Sequence, residues 1–410
     1  MQVTIEKLIY GGSGLARTDQ GVVFVPKTVP GDVVEIELTE RKKGYSLASL
    51  QRLITPSPAR KTPSCPNFDT VGCCHWDHID YPHQVQFKKD IVLESLSRLG
   101  KIPYDDALEA VSGPEHGYRM RAAFHVRDGV LGFVRENSNI VVPVAECAAL
   151  RNELNQFIPQ FNALRITSAA GVDLISNGTE MAATVHFERA QPHEPFERWR
   201  DALFTIPGLV NLTFIANGKR LAYRKSTPLL EVAGSSYQLA SDAFFQANWF
   251  LLNEFVSRVL IEIGPSAGNV LELFSGSGFF SLPIARKCRQ LIAIENNPIA
   301  VRHAKQNAQS NRIANVEFAL GNVDQLIDDS ELHPDVVVLN PPRTGVGSKV
   351  AKAIARLKAT RIVYVSCNPT TFAPEMKLLA EAGYGLKRLT MIDQFPGTYH
   401  IEIIARLELQ

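Results

Sequence analysis

The chain has 410 residues, of which 45% are hydrophobic and 21% charged, with a formal net charge of +1. This composition is typical of a globular protein with two or three domains, and it neither requires nor excludes a nucleic-acid partner, which depends on a local basic patch. No apolar run reaches the roughly 18 residues of a membrane-spanning helix, no signal peptide opens the chain and the six cysteines are unevenly spaced, so we expect a cytoplasmic protein without a membrane partner. We also expect a monomer.

Residues 1–56 alternate short apolar runs with turn signals. Ile9-Tyr-Gly-Gly-Ser-Gly-Leu15 is a flexible turn, Gly21-Val-Val-Phe-Val-Pro26 a strand, and Arg41-Lys-Lys43 a basic loop after a further strand. Regularly spaced short strands predict a small β-barrel, and three cations after a strand can contact phosphates. The order of these motifs resembles the TRAM domain, a small OB-like barrel that binds RNA, so we predict an RNA-binding domain over residues 1–56.

Residues 57–238 are predicted to form a central α+β domain. The segment opens with Cys65, Cys73 and Cys74 within ten residues, and Cys147 follows later. Cysteines so close together in a cytosolic protein favour metal or cluster binding over disulfides. Four thiolates suit either a four-iron, four-sulfur cluster or a tetrahedral zinc ion, and a remnant site that binds no metal remains an alternative.

Residues 239–410 show strands alternating with helical patterns, which predicts a Rossmann-like, doubly wound parallel sheet. The first strand runs into the glycine-rich turn Phe274-Ser-Gly276-Ser-Gly278, the second ends at Glu295, and the third ends at Asn322. Glycines let the backbone approach a cofactor, and an acid about 20 residues later can accept bonds from ribose hydroxyls. Since the turn lacks the third glycine of a dinucleotide fingerprint, S-adenosylmethionine fits better, with Asn322 near the adenine.

Two further strands end in polar motifs. The fourth precedes Asn340-Pro-Pro-Arg343, where the Asn340 side chain is placed to bond a planar ring. The fifth precedes Ser366-Cys-Asn-Pro369, which puts Cys367 at the carboxyl edge of the sheet, where ligands bind in open α/β folds. Cys367 could equally be a buried small residue, and Asn-Pro-Pro also suits a methyltransferase that acts on exocyclic amines.

The same motifs carry a resemblance that covers nearly the whole chain. Ala243-Phe-Phe-Gln-Ala-Asn248, the glycine-rich turn, Asn340-Pro-Pro-Arg343, the Cys367 motif and Asp393-Gln-Phe-Pro-Gly-Thr-Tyr-His-Ile-Glu402 occur in the order seen in the RNA uracil-5-methyltransferases. The chain most resembles the ribosomal-RNA branch, which has a TRAM domain and an iron–sulfur cluster, whereas the transfer-RNA branch lacks the barrel. The resemblance therefore implies formation of 5-methyluridine in RNA, with 23S ribosomal RNA as the first expectation and transfer RNA as the alternative.

The resemblance also implies roles for individual residues. Cys367 corresponds to the nucleophile that adds to carbon 6 of uracil, and Glu402 to the base that removes the proton from carbon 5. The residues implied to contact the cofactor are Gln246, Phe274, Gly276, Gly278, Glu295, Asn322 and Asn340. Asn340 stands where the family usually has aspartate, so no charge is expected at that position.

The cysteine motif departs from the family pattern. Cys65 and Cys74 keep the family spacing and Cys147 is a candidate fourth ligand, but Val71 occupies the middle position, with Cys73 displaced by two residues. We therefore predict a weak or absent cluster. An RNA-binding protein without catalytic activity is the alternative from another class, which these substitutions leave open.

Overall fold

The computed structural model describes residues 1–136, 138–188, 195–265, 267–327 and 333–410. The N-terminal part is a six-stranded sheet in the order β1-β5-β6-β4-β3-β2. Its strands are β1 (Gln2–Thr4), β2 (Lys7–Leu8), β3 (Gly14–Thr18), β4 (Gly21–Val25), β5 (Val33–Lys42) and β6 (Tyr45–Thr55). Alternate apolar residues of these strands, among them Val23, Val25, Val34 and Ile36, are buried in a core of their own. The predicted small β-domain is confirmed.

The next segment connects this sheet to the rest of the molecule. It contains α1 (Tyr81–Ser95), which continues as a π-helical turn to Gly100, and β7 (Glu109–Val111). Ile91, Val92 and Leu96 are buried in the same core as the C-terminal sheet, and β7 pairs with a strand of that sheet. Residues 76–111 thus pack on the C-terminal domain, although the sequence groups them with the central one.

The central sheet has seven strands in the order β10-β9-β8-β11-β12-β13-β14. Its strands are β8 (Arg121–Arg127), β9 (Val130–Val134), β10 (Val141–Pro143), β11 (Gly171–Ser176), β12 (Met181–Phe187), β13 (Leu209–Ala216) and β14 (Lys219–Arg224). The helices α2 (Asn152–Leu164) and α3 (Phe196–Leu203) complete this layer, and the hairpin β15 (Leu229–Val232) and β16 (Ser235–Gln238) follows it. Phe157, Phe161 and Phe214 lie in the hydrophobic core of this layer.

The C-terminal sheet contains the predicted alternation of strands and helices. Its elements are α4 (Leu252–Ile263), β17 (Ala267–Leu273), α5 (Ser281–Ala285), β18 (Cys288–Glu295), α6 (Pro298–Ser310), β19 (Val316–Leu320), α7 (Val323–Leu326), β20 (Val336–Leu339), α8 (Gly347–Arg356), β21 (Arg361–Ser366), α9 (Pro369–Glu381), β22 (Tyr384–Ile392) and β23 (Glu402–Leu409). A 3₁₀ turn, Trp249–Leu251, precedes α4. The predicted α/β class is confirmed.

The strand order β19-β18-β17-β20-β21-β23-β22-β7 determines where the site lies. Strands β17 to β21 are parallel, so their carboxyl ends share one edge of the sheet. Strand β23 runs antiparallel between β21 and β22, and its first residue therefore lies at that same edge. None of the helices in the described ranges is long and apolar enough to cross a membrane.

Candidate active site

Cys367 lies at the carboxyl end of a strand whose residues Ile362 to Ser366 are all buried. The strand ends there because Asn368 begins α9, with its side-chain oxygen accepting from the Thr370 backbone N–H at 3.0 Å. Pro369 occupies the first helical position, which suits its fixed φ. The Asn368 side-chain amide also donates to the Arg343 carbonyl at 2.9 Å. Cys367 thus lies between the buried strand β21 and the capped start of helix α9.

Glu402 lies opposite Cys367 in the sheet. Ser366 of β21 is the register partner of Ile403 in the antiparallel β23, so the next residue along β21 faces the preceding residue of β23. The structure thereby brings together the two residues that the sequence predicted as nucleophile and base, which are 35 positions apart in the chain. Their side chains influence each other electrostatically.

Burial controls the protonation of this pair. It raises the pKa of the Glu402 carboxyl from 4.5 to about 8, because a low-dielectric environment disfavours the ionised form. Burial and then the nearby charge of Glu402 raise the pKa of the Cys367 thiol to about 12. Arg343 lowers the pKa of both groups. The free protein at neutral pH therefore holds both groups mainly in their protonated forms, with Arg343 favouring either anion.

Arg343 is itself held by the loop that leads to Glu402. Its Nη2 lies 3.3 Å from His400 Nε2. Burial and the neighbouring Arg343 lower the pKa of His400 to about 3, so the imidazole is neutral and accepts from the guanidinium. The sequence analysis noted Arg343 only as part of a motif. The structure gives it an electrostatic role beside the reactive pair.

The glycine-rich turn follows β17 in a conformation that few residues adopt. Phe274, Gly276 and Gly278 all have positive φ, at 61°, 56° and 86°. For Gly278 a Cβ atom would lie 3.0 Å from Leu282 and 3.4 Å from Ala304. Glycine is therefore needed there both for its backbone conformation and for the close approach of α6.

Glu295 ends the neighbouring strand and supports this turn. Its Oε2 accepts from the Gly276 backbone N–H at 2.9 Å, and its Oε1 accepts from the N–H groups of Asn296 and Asn297 at 2.9 and 2.8 Å. Each carboxylate oxygen has two lone pairs, so Oε2, which accepts only one of these bonds, retains a site for a hydroxyl donor. The carboxylate is thus oriented at the edge of the sheet, as a ribose-binding acid must be.

Three other predicted cofactor residues lie at the ends of neighbouring elements. Gln246 is 8% exposed in the segment before α4. Asn322 immediately precedes α7 at the end of β19. Asn340 follows β20, and its backbone N–H donates to the Leu273 carbonyl at 3.3 Å. All the predicted cofactor residues in the C-terminal sheet therefore lie on its carboxyl edge.

Glu272 is a buried acid that the sequence analysis missed. It is the second-last residue of β17 and is 2% exposed, and burial raises its pKa to about 8. Ser281 and Glu295 are its polar neighbours. The available signal was one acid inside the apolar run Val270-Leu-Glu-Leu273, since an unpaired buried carboxyl is costly and marks a functional position.

The cysteines of the motif gather around one cavity of about 220 Å³, which Cys65, Cys73, Cys74 and Cys147 all line. The Sγ atoms of Cys73 and Cys74 lie 3.6 Å apart, and Cys147 is buried. Val71 is 6% exposed and forms a backbone bridge with Arg135. The structure thus brings the four predicted ligands together, while the middle ligand position of the family pattern holds an apolar side chain.

These side chains do not fit an iron–sulfur cluster. Across the part of the chain that the structure describes, no three or more Cys, His, Asp or Glu side chains form a metal-binding group. A four-iron cluster requires four separated thiolates, whereas Cys73 and Cys74 are adjacent and approach each other. No step of the chemistry below is therefore assigned to a metal.

Known proteins share this architecture. Residues 80–409 match the family model described as tRNA (Uracil-5-)-methyltransferase. Residues 1–59 match a model described as the TRAM domain of tRNA (uracil(54)-C(5))-methyltransferase. The expectation that transfer-RNA enzymes lack this barrel is therefore wrong, and the barrel alone does not distinguish ribosomal from transfer RNA. The tRNA (uracil-54, C5)-methyltransferase of Pyrococcus abyssi, solved with S-adenosyl-L-homocysteine, has the same fold, with a TM-score of 0.78 and 23% identity over 99% of this chain and 100% of that one.

Two relatives extend the similarity to the sequence. An RNA methyltransferase of Aquifex aeolicus is 34% identical over 100% of this chain and 99% of its own length. The 23S rRNA (uracil(1939)-C(5))-methyltransferase RlmD of Shewanella amazonensis is 32% identical over 99% of this chain and 95% of its own. The chain therefore belongs to the RNA uracil-5-methyltransferase family, whose members use S-adenosylmethionine.

Proposed function

We propose that the chain forms 5-methyluridine in RNA through a covalent bond between Cys367 and carbon 6 of the target uracil. The pairing of Cys367 with Glu402 at the carboxyl edge of the sheet carries this proposal. Carbon 5 of uracil is too weak a nucleophile to accept a methyl group unaided. A thiolate that adds to carbon 6 supplies an electron pair, which passes through the ring and makes carbon 5 nucleophilic.

The residues of the chain complete the reaction in defined steps. Cys367 releases its proton to solvent and its sulfur bonds to carbon 6, with Arg343 favouring the thiolate. S-adenosylmethionine, when bound, supplies the methyl group to carbon 5. Glu402, which must first release its own proton to solvent, then takes the remaining proton from carbon 5 as a carboxylate. The electron pair of that C–H bond restores the ring double bond, which expels the Cys367 thiolate and frees the product.

The residues at the carboxyl edge fit this methyl donor. We propose that Phe274, Gly276 and Gly278 pass beneath it and that Glu295 accepts bonds from its ribose hydroxyls. Asn322 is assigned to its adenine and Gln246 to its reacting end. The remaining residue, Asn340, lies between the ends of β17 and β21 and carries no charge. Its amide can both donate to and accept from a uracil edge.

We propose ribosomal RNA as the substrate, because relatives named for 23S rRNA match at 31–32% identity over nearly the whole chain. With S-adenosylmethionine labelled in the methyl group, we expect transcripts of 23S rRNA to be methylated at least roughly tenfold more efficiently than tRNA transcripts. Mapping 5-methyluridine in the product identifies the nucleotide. Preferential methylation of tRNA would contradict the ribosomal assignment, and no methylation of either RNA would contradict the enzyme activity.

We further propose that the cysteine cavity holds no stoichiometric four-iron cluster. Val71 at the family's ligand position and the contact between Cys73 and Cys74 support this proposal. Protein purified without oxygen should contain little iron or acid-labile sulfide per chain. Replacing Val71 with cysteine restores the family pattern and should raise both contents. Near-stoichiometric iron and sulfide in the unaltered protein would contradict the proposal.

The location of the protein, its oligomeric state and its domain limits are also proposed. We propose a cytoplasmic monomer in which residues 1–56 bind RNA and residues 239–410 carry the methyltransferase site. Residues 57–238 form the region between them, with the segment 76–111 packed against the catalytic core.

A further inference from the structure

A turn of the N-terminal domain reaches the candidate nucleophile. The hydroxyl of Tyr10, which lies between β2 and β3, donates to the backbone carbonyl of Cys367 at 3.2 Å. The two residues are 357 positions apart in the chain. The charges of Cys367, Arg343 and Glu402 all act on the Tyr10 phenol, so its side chain lies within the electrostatic environment of the reactive pair.

Two other contacts hold this turn in place, one with Trp76 and one with Tyr399 in the loop that leads to Glu402. The Trp76 Nε1–H donates to the Gly12 carbonyl at 3.1 Å. The ring of Tyr10 packs edge-on against Tyr399, with centroids 5.6 Å apart and an angle of 85° between the planes. Gly12 has a φ of 99°, and a Cβ atom there would lie 3.0 Å from the Tyr399 ring. The docking of the turn therefore requires glycine at this position.

The peptide of Cys367 has attachments on two sides. On the following side, Asn368 caps α9 and binds the Arg343 carbonyl. At the other end of the same peptide group, the Cys367 carbonyl oxygen accepts from the Tyr10 hydroxyl. Holding this peptide restricts the direction of the Cα–Cβ bond of Cys367 and so narrows the positions that the sulfur can reach by rotating about that bond. Attack at carbon 6 needs the sulfur within about 3–3.5 Å of that atom and correctly aligned, so this orientation affects the rate directly.

We propose that Tyr10 is a positioning residue for the Cys367 nucleophile, so that the N-terminal domain contributes to catalysis as well as to RNA binding. The inference rests on the proposed function. Because the Tyr10 hydroxyl binds the protein backbone, it should affect the rate of covalent attack and leave the affinity for RNA unchanged.

The test compares Tyr10→Phe with Tyr384→Phe in the full-length protein. Both variants remove one tyrosine hydroxyl that donates to a backbone carbonyl, since Tyr384 donates to the Ala359 carbonyl at 2.9 Å, at the opposite end of the C-terminal sheet. Single-turnover formation of the covalent complex is followed with 23S rRNA transcript containing 5-fluorouridine and S-adenosylmethionine, and the Kd for unmodified transcript is measured separately.

We expect Tyr10→Phe to slow formation of the covalent complex about tenfold, equivalent to about 1.4 kcal/mol of activation free energy, with the RNA Kd unchanged. Tyr384→Phe should leave both unchanged. Equal rates for the two variants would overturn the inference while leaving the proposed function intact. A Kd weakened in proportion to the rate would also overturn it, because Tyr10 would then act in binding. No covalent complex with the unaltered protein would instead contradict the proposed function.

Discussion

Replacing Cys367 with alanine is expected to abolish methyl transfer to RNA, with a rate at least roughly 10⁴-fold below that of the unaltered protein. Without the thiolate no electron pair reaches carbon 5 of the uracil, and the described residues place no other cysteine at the carboxyl edge of the C-terminal sheet. The measurement is transfer of labelled methyl groups to the preferred transcript under single-turnover conditions.

Cys288→Ala is the matched control. Cys288 is also a partly exposed free cysteine in the C-terminal sheet, but it begins β18 and thus lies at the opposite edge. Its replacement should leave the methylation rate unchanged. Both variants should bind S-adenosylmethionine as the unaltered protein does. Methylation by Cys367→Ala at a substantial rate would favour chemistry that does not need a thiol, such as methylation of an amine at Asn340-Pro-Pro.

Replacing Glu402 with glutamine is expected to lower turnover by roughly 10²–10⁴-fold, the usual contribution of a positioned general base. Glu402→Gln should block a later step of the reaction than Cys367→Ala does. Attack and methyl transfer precede the step that needs the base, so the methylated RNA should stay covalently attached to Cys367. Denaturing gel electrophoresis with unmodified RNA should therefore show a covalent complex for Glu402→Gln and none for Cys367→Ala.

The pH dependence of stability tests whether Glu402 is buried in its neutral form. Its pKa in the folded protein, about 8, lies above the ordinary 4.5. The corresponding contribution to the free energy of unfolding is present in full below about pH 4.5 and is lost as the pH rises through 8. Glutamine does not ionise, so Glu402→Gln should gain stability relative to the unaltered protein between about pH 5 and 9, on the order of a few kcal/mol.

The difference in free energy of unfolding between Glu402→Gln and the unaltered protein should change between about pH 5 and 9. A constant difference would contradict a buried neutral carboxyl at Glu402. The stability difference at low pH, where the acid and the amide are both neutral, is the baseline against which the change with pH is measured. A variant that is stable and binds RNA normally, yet accumulates the covalent complex, separates the role of Glu402 in catalysis from any role in folding.

The sequence predicted much of the site because its residues follow buried strands. Cys367, Asn340 and Glu295 each come directly after, or end, an apolar run, and parallel strands bring such positions to one edge. The position of Glu402 opposite Cys367 was predicted only through family resemblance. Its physical basis is the antiparallel insertion of β23 beside β21, a pairing that no local pattern in the sequence indicates.

The features that the sequence did not predict depend on long-range packing. The three residues of β7 are too few to show a period, yet they extend the C-terminal sheet. The contact of Tyr10 with Cys367 joins two domains through one hydrogen bond. The protonation of Glu402 follows from its burial by surrounding elements, and an acid at the start of an apolar strand looks the same in a sequence whether it is solvated or buried.

Mass spectrometry of the complex formed with 5-fluorouridine RNA tests the central claim most directly. Fluorine at carbon 5 cannot leave as a proton, so the methylated adduct should persist after denaturation and nuclease digestion. We predict a single modified tryptic peptide, residues 362–377, whose added mass equals a 5-fluoro-5-methyl-5,6-dihydrouridine nucleotide bonded through carbon 6 to the Cys367 sulfur. An adduct on any other cysteine, or full methylation with no adduct, would contradict the account.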